Sequence, residues 1–313
     1  MIKRNISLKK YTTFKIGGRA KYFSEVKTLK QLKDALKWAQ QQQVPFFILG
    51  NGSNVLFSDQ GFSGLVIKLT NRGIKKLSSK SVLVQAGTLT NDFLNSCVKN
   101  NWSGFEWLAG IPGTMGGVVY GNAGAFGYEI KDYVKKVETF DSQTQSLKSY
   151  SRSQCHFSYR ESIFKQKTEV IWQIELKVMS GNRKEIQEKI AENWRQKIKN
   201  HTFDFPSAGS VFKNIIIKNT PYQKYFNKKK GTVTILGQEI AVKGGKVSAG
   251  WFIEQCGLKG LKIGGAQIAD FHGNIIINYK NAKAQDVLRL IQIAKDKVWQ
   301  KFKIKLEEEV IIV

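Results

Sequence analysis

One stretch constrains this chain more than any other: Gly110-Ile111-Pro112-Gly113-Thr114-Met115-Gly116-Gly117, followed by Gly121-Asn122-Ala123-Gly124-Ala125-Phe126-Gly127. A glycine costs about 1 kcal/mol relative to alanine in a helix, so this density would weaken any element that had only to pack. Close approach of the backbone to a flat or phosphorylated ligand explains it better. A second loop, Gly50-Asn51-Gly52-Ser53-Asn54, directly follows a predicted strand. Small residues there let backbone N–H groups approach an oxyanion such as a pyrophosphate. Taken alone the second loop is weak evidence. Val55 stands where a Rossmann fingerprint would place its third glycine, and a plain tight turn asks for the same residues.

The elements around these loops predict an α+β chain. Leu29, Leu32, Leu36 and Ala39 recur at helical spacing across 28–42, and Phe46-Phe47-Ile48-Leu49 after Pro45 reads as a buried strand. Short strands at 64–69 and 82–86 and a helix at 91–100 follow. Segment 134–179 reads as strands joined by turns such as Asp141-Ser142-Gln143-Thr144. Residues 183–200 predict a polar helix leading into another domain. From about 206 the pattern restarts, with strands near 208–213 and 232–242, a helix at 249–256, a strand at 274–278, a long helix at 282–301 and a terminal strand from Glu309 to Val313. The Lys-rich 218–231 reads as loop or as partly disordered. With 313 residues against roughly 100–200 for an ordinary domain, two or three domains are expected.

Composition removes several classes of function. No apolar run approaches the roughly 18–20 residues that span a bilayer, and the first residues lead into Lys9-Lys10-Tyr11-Thr12 rather than an apolar signal, so a cytoplasmic protein without a membrane partner is expected. Cys97, Cys155 and Cys256 are odd in number and widely spaced, and His156, His201 and His272 form no ligand pair, so no metal is expected. The formal charge of +26 invites a nucleic-acid reading, but only eight of the 50 basic residues are Arg, the side chain that reads base edges. The lysines run along the whole length. That fits a general surface bias or the steering of small anions better than nucleic acid.

Seven blocks, in order along the chain, carry a family likeness. They are Tyr11 to Gly18, Gly50 to Asn54, Gly110 to Gly127, Tyr159-Arg160-Glu161-Ser162-Ile163-Phe164-Lys165, Ala208-Gly209-Ser210-Val211-Phe212-Lys213-Asn214, Ala249 to Gly260, and Leu306 to Val310. Together they resemble the UDP-N-acetylenolpyruvoylglucosamine reductase (MurB) family across essentially the whole chain. The resemblance implies an α+β fold with a two-subdomain FAD-binding part of the PCMH type, as in vanillyl-alcohol oxidase-like flavoenzymes, and a C-terminal α+β substrate domain. It implies a first FAD-binding subdomain at 1–69 joined by the terminal strand 306–313, a second at 70–200, and the substrate domain at 206–305. It also implies the reaction, in which NADPH reduces FAD and the flavin reduces the enolpyruvyl ether of UDP-N-acetylglucosamine to UDP-N-acetylmuramate, in peptidoglycan precursor synthesis. The enzyme is expected to be a monomer whose partner is this small-molecule substrate.

Site residues carry over where the motifs match. Hydride delivery to the enol ether builds negative charge beside the carboxylate, so cationic groups are needed there, and Arg160 matches the family's catalytic arginine. On the residues alone, an ordinary ion pair of Arg160 with Glu161 or another acid is the favoured reading. Ser210 matches the proton-donating serine and Glu309 the catalytic glutamate. Gly50, Asn51, Gly52, Ser53, Asn54, Gly110, Ile111, Pro112, Gly113, Thr114, Gly116, Gly117, Asn122, Gly124 and Ala125 are the expected FAD contacts. The FAD is expected to be non-covalent, because no His or Cys lies between Gly110 and Gly127. Lys213, Asn214, Gln255 and Lys197 are the expected substrate contacts, with Arg195 and Lys199 near the last. No separate NADPH fingerprint is present, which suits a family in which NADPH and the sugar take turns at one flavin face. The chain departs from the family at Ile215, which replaces a common proline, at Asp270, and in an apparent insertion between Asn214 and Val247. Two other readings remain, a flavin enzyme of the same fold acting on another sugar or alcohol, and a basic nucleic-acid-binding protein.

Overall fold

In the computed structural model, which describes residues 1–200 and 204–313, the chain divides into two units. Met1–Tyr11, Gly18–Ser53 and Gln60–Lys199 form the first, and Thr12–Gly17, Asn54–Asp59 and Asn200–Val313 form the second.

The first unit starts from a capped crossover helix. Thr28 accepts the Gln31 N–H and the Gln31 side chain accepts the Thr28 N–H, a reciprocal cap that fixes the start of Leu29–Gln41. Leu32, Ala35, Leu36 and Ala39 make up its buried stripe, each fully buried Leu contributing about 1.5–3 kcal/mol. The helix leads from strand Arg19–Val26 to Phe46–Leu49, both parallel to Phe62–Leu69, which lies between them, while Lys3–Ser7 closes the outer edge antiparallel. A second, antiparallel sheet has the order Ser146–Ser151, Val134–Asp141, Val170–Lys177, Ser81–Gln85, Ile74–Ser78. The predicted turn after Val134–Asp141 is fixed by the Asp141 carboxylate, which accepts the N–H groups of Gln143 and Thr144. The expected boundary at 69/70 runs between the two sheets, whose buried side chains nevertheless form one apolar cluster with helices Thr90–Lys99 and Met115–Tyr120.

The second unit gathers three separate pieces of chain around helix Ala284–Phe302. Val287, Leu290, Ile291, Ala294, Val298 and Phe302 are its buried stripe. Its first free N–H groups, those of Ala284 and Gln285, are accepted by the Asp59 carboxylate at 2.8 and 3.0 Å. An antiparallel sheet runs Ser207–Ser210, Ile275–Asn278, Ala266–Ile268, Lys262–Ile263. Phe14 and Ile16 are buried in the same core, and the Phe14 carbonyl accepts from Asn278 at 3.1 Å. The terminal strand is shorter than expected. Only Ile311–Ile312 pairs, in parallel, with Val55–Leu56. The segment 218–231 is not a plain loop. It carries short 3-10 turns and strand Phe226–Asn227, which pairs with Thr232–Ile235 and so joins a three-stranded meander completed by Gln238–Ala241. Val233 and Ile235 bury one face of that meander, whose strands within 232–242 were expected and whose first strand, Phe226–Asn227, was not.

Candidate active site

The two glycine loops meet within the first unit. Ser53 Oγ donates to the Pro112 carbonyl at 2.8 Å, and a Cβ placed on Gly50 would lie 2.6 Å from Thr114 Oγ1. Thr114 cannot easily yield, because that oxygen accepts the Gly117 N–H and holds the start of Met115–Tyr120. Gly116 is closed in the same way by Ala86, whose carbonyl accepts its N–H at 2.8 Å. Below them Thr90 Oγ1 donates to the Ile111 carbonyl, and the Thr90 N–H donates to the Gly113 carbonyl. Several of these glycines are therefore required by loop-to-loop packing. Gly117 is different: it is exposed, and an added Cβ there would have no neighbour nearer than 3.6 Å. The backbone at Gly117 is left open to a flat ligand.

Lys68 lies beneath the first loop and was not singled out from the sequence. Its ammonium donates to the Gly50 carbonyl at 3.0 Å and sits 5.6 Å from the Tyr11 ring centroid. Burial pushes its pKa down from the usual lysine value, while the Glu25 charge works the other way. A charged group inside the run Leu65-Val66-Ile67-Lys68-Leu69 was the available signal. A cation under a loop of small residues suits an anionic nucleotide, and these residues fit FAD.

Asn122, Gly124, Arg160 and Lys197 form a second cluster in the same unit. Asn122 is fully buried; its Nδ2 donates to the Ser158 carbonyl at 2.7 Å and its Oδ1 accepts the Lys131 N–H. Its side chain thus acts by fixing the turn that presents Arg160. That turn is closed by reciprocal bonds between Ser158 and Glu161 and leaves Arg160 at φ +58°, a left-handed conformation unusual for a long side chain. The guanidinium donates to the Gly124 carbonyl at 3.2 Å, beside Ala125 in the small hairpin Gly124–Ala125 and Tyr128–Glu129, and lies over the Tyr159 ring. Glu161 is engaged by Lys165 at 3.3 Å. Lys197 reaches the same place from helix Arg183–Asn200, 5.8 Å from the Phe126 ring centroid and packed against Gly110. Burial first, and then the Arg160 charge, push its pKa down to about 8. Of the three basic residues expected in this helix, Lys197 alone is seen at Arg160; Arg195 is exposed, and the Lys199 side chain lies outside the described residues. Two cations held side by side are suited to an anionic ligand.

Ser210 and Glu309 belong to the second unit. Ser207–Ser210 pairs with Ile275–Asn278, and Gly209, at φ +73°, supplies the turn before Ser210. The next residue, Val211, accepts the Glu309 N–H at 2.7 Å, and the Lys213 N–H donates to the Glu307 carbonyl at 2.9 Å. Residues 211–213 and 307–309 therefore run antiparallel, with Phe212 opposite Glu308. On the other side of Glu309, its carbonyl accepts from Asn54 Nδ2 at 2.9 Å. The neighbouring acids point to lysines: Glu307 to Lys213 at 3.6 Å and Glu308 to Lys295 at 2.8 Å. Asn214 is exposed, with its Oδ1 accepting the Ala249 N–H at 3.2 Å, and Gln255 ends helix Ala249–Gln255, half-buried. Asn51 and Gly52 lie in the first unit with the rest of their loop, while Asn54 falls in the second.

Comparison with known proteins gives matches over both halves. A model of an FAD binding domain matches residues 20–148, and a model of the UDP-N-acetylenolpyruvoylglucosamine reductase C-terminal domain matches 196–313. A UDP-N-acetylenolpyruvoylglucosamine reductase of Caldanaerobacter subterraneus subsp. tengcongensis is 35% identical over 309 residues, covering 99% of this chain and 92% of the relative. One of Clostridioides difficile is 34% identical over 310 residues, covering 99% and 92%. The crystal structure of UDP-N-acetylenolpyruvylglucosamine reductase from Thermus caldophilus superimposes with a TM-score of 0.77 at 31% identity, covering 100% of this chain and 98% of that one. The expected α+β fold, an FAD-binding part followed by the C-terminal domain of this reductase, is borne out.

Proposed function

Because this chain belongs to the UDP-N-acetylenolpyruvoylglucosamine reductase family, we propose that it uses NADPH and FAD to reduce UDP-N-acetylglucosamine enolpyruvate to UDP-N-acetylmuramate in peptidoglycan precursor synthesis. The observation that carries this reading is the likeness over nearly the full length of both proteins, combined with the main-chain ladder that draws Ser210 and Glu309 into one neighbourhood. The same reading makes the enzyme a cytoplasmic monomer with a small anionic substrate. Among the described residues, no helix is long and apolar enough to cross a membrane.

Gly50 to Ser53 and Gly110 to Gly117 would hold FAD through their main chain, with Lys68 adding positive charge beneath Gly50. When bound, FAD would supply the two-electron redox chemistry that links NADPH to the enol ether. The protein's residues bind, orient and protonate. Arg160 and Lys197 anchor the negative charge that grows on the carboxylate side of the enol ether, and being pre-fixed by Gly124 and Phe126 they need little rearrangement to do so. Ser210 Oγ gives the proton to the carbon next to the carboxylate, completing the reduction. Glu309, whose N–H is held by the Val211 carbonyl and whose carbonyl is held by Asn54, assists proton delivery. Asn214, Gln255 and Lys213 contact the UDP-sugar. The test is product analysis after incubation with NADPH and the enolpyruvyl sugar. Conversion to UDP-N-acetylmuramate, one per NADPH consumed, is expected; NADPH oxidation that ignores the sugar would end the proposal.

A further inference from the structure

Val211 and Phe212, which directly follow Ser210, are held by a single buried residue. Asn274 is only 3% exposed. Its Oδ1 accepts the Phe212 N–H at 2.9 Å, and its Nδ2 donates to the Phe212 carbonyl at 2.8 Å. Its own carbonyl accepts the Val211 N–H at 2.9 Å. Strand pairing with Ile275–Asn278 reaches Ser210 opposite Ile275 and then stops, because residues 272–274 turn away. The Asn274 amide takes over where a neighbouring strand would have continued. Only Asn and Gln carry a planar donor and acceptor pair like that of a peptide unit, and Asn is the shorter of the two.

This clamp has a consequence on the opposite edge. With its N–H bound to Asn274, Val211 turns its carbonyl to the C-terminal segment, where it accepts from Glu309 at 2.7 Å and Val310 at 3.3 Å. Ser210 and Glu309 are thus each covalently next to, or directly bonded to, one residue that Asn274 fixes. Asn274 is itself anchored. Its N–H donates to His272 Nδ1 at 3.0 Å, and the preceding Gly273 N–H donates to Glu254 Oε1 at 2.9 Å.

We propose that Asn274 is a positioning residue that sets where Ser210 and Glu309 stand relative to each other. The proposal rests on the reading of Ser210 as the proton donor. Asn274 touches neither substrate nor cofactor in this scheme, and its effect passes through the main chain of Val211 and Phe212.

The experiment follows flavin absorbance by rapid mixing in the FAD-loaded protein, first with NADPH and then with the enolpyruvyl sugar. Asn274→Asp keeps the acceptor toward Phe212 N–H and turns an oxygen against the Phe212 carbonyl, while Asn274→Ala removes both bonds. A displacement on the order of 1 Å in a reacting group costs about 10²-fold, so each variant should slow reoxidation by the sugar about 10–100-fold. Reduction by NADPH should stay within about twofold. In a Ser210→Ala background the same substitutions should cost little more, because residues acting as one unit are strongly non-additive. Equal loss in both half-reactions, or a full additional loss in the Ser210→Ala background, overturns the proposal. If both variants lose FAD and fold, Asn274 is only a structural residue and the proposal is likewise overturned. A wild-type enzyme that the sugar does not reoxidise, or a Ser210→Ala enzyme with normal reoxidation, refutes the underlying reading and takes this inference with it.

Discussion

In the first unit the glycine loops meet through short side chains that reach main-chain carbonyls, Ser53 to Pro112 and Thr90 to Ile111, and through the close seat of Gly50 on Thr114. In the second unit, Ser210 and Glu309 are brought together by main-chain pairing between segments nearly a hundred residues apart, with Asn274 supplying what the sheet lacks. In the proposed function the first arrangement presents backbone to a cofactor. In the same proposal the second presents two side chains that move a proton. The contrast teaches that binding and protonation should fail separately, which gives each substitution a distinct expected signature.

The sharpest break is Ser210→Ala. General acid catalysis contributes about 10²–10⁴-fold, so turnover should fall by that factor while bleaching by NADPH stays near the wild-type rate. Loss of bleaching would place Ser210 with the cofactor and dissolve the contrast. Glu309→Gln comes next, with a loss of about 10²-fold or more in kcat, whereas Glu308→Gln, which only releases Lys295, should change kcat little. Similar mild effects in steady-state assays of both would mean that the C-terminal register was misread.

Gly50→Ala probes the other side of the comparison. The new methyl group must displace Thr114 and with it the cap on Gly117, a loss of about 1 kcal/mol, so FAD should bind about five- to tenfold more weakly in a fluorescence titration. Saturating FAD should then restore turnover. A kcat that stays low at saturation would show that this loop does more than bind.

The smallest effect is one of pH. Lys197, held near 8 by burial and by Arg160, is charged below that pH and becomes neutral as pH rises through it. KM for the sugar should therefore increase by up to about tenfold between pH 7 and pH 9, the range expected for losing one charge-assisted bond. Lys197→Met should have the high KM throughout and no step near pH 8. A step that persists in this variant would assign the titration elsewhere.

The helix Leu29–Gln41 was legible because Thr28, Gln31 and the spacing of Leu32, Leu36 and Ala39 all lie within one short window. The glycine loops were legible for the same local reason, although part of their glycine content turned out to serve contact between the loops rather than ligand approach. Lys68 and Asn274 were not found. Lys68 offered only the signal of a charge inside a buried strand and Asn274 none, being an asparagine after a glycine, and each acquires its role only when a distant piece of chain arrives. In the meander at 226–241 the strands within 232–242 were legible, whereas Phe226–Asn227 was hidden, since it is two exposed residues beside a run of lysines. Ser210, Arg160 and Glu309 emerged only from the order of several motifs, because no property of the single residues separates a proton donor from a turn serine.

The most direct test of the account is the flavin absorbance of the wild-type protein under anaerobic conditions. NADPH should bleach it, and one equivalent of the enolpyruvyl sugar should restore the oxidised spectrum with formation of UDP-N-acetylmuramate. A protein that takes up no FAD, or one whose reduced flavin the sugar leaves bleached, would contradict the account.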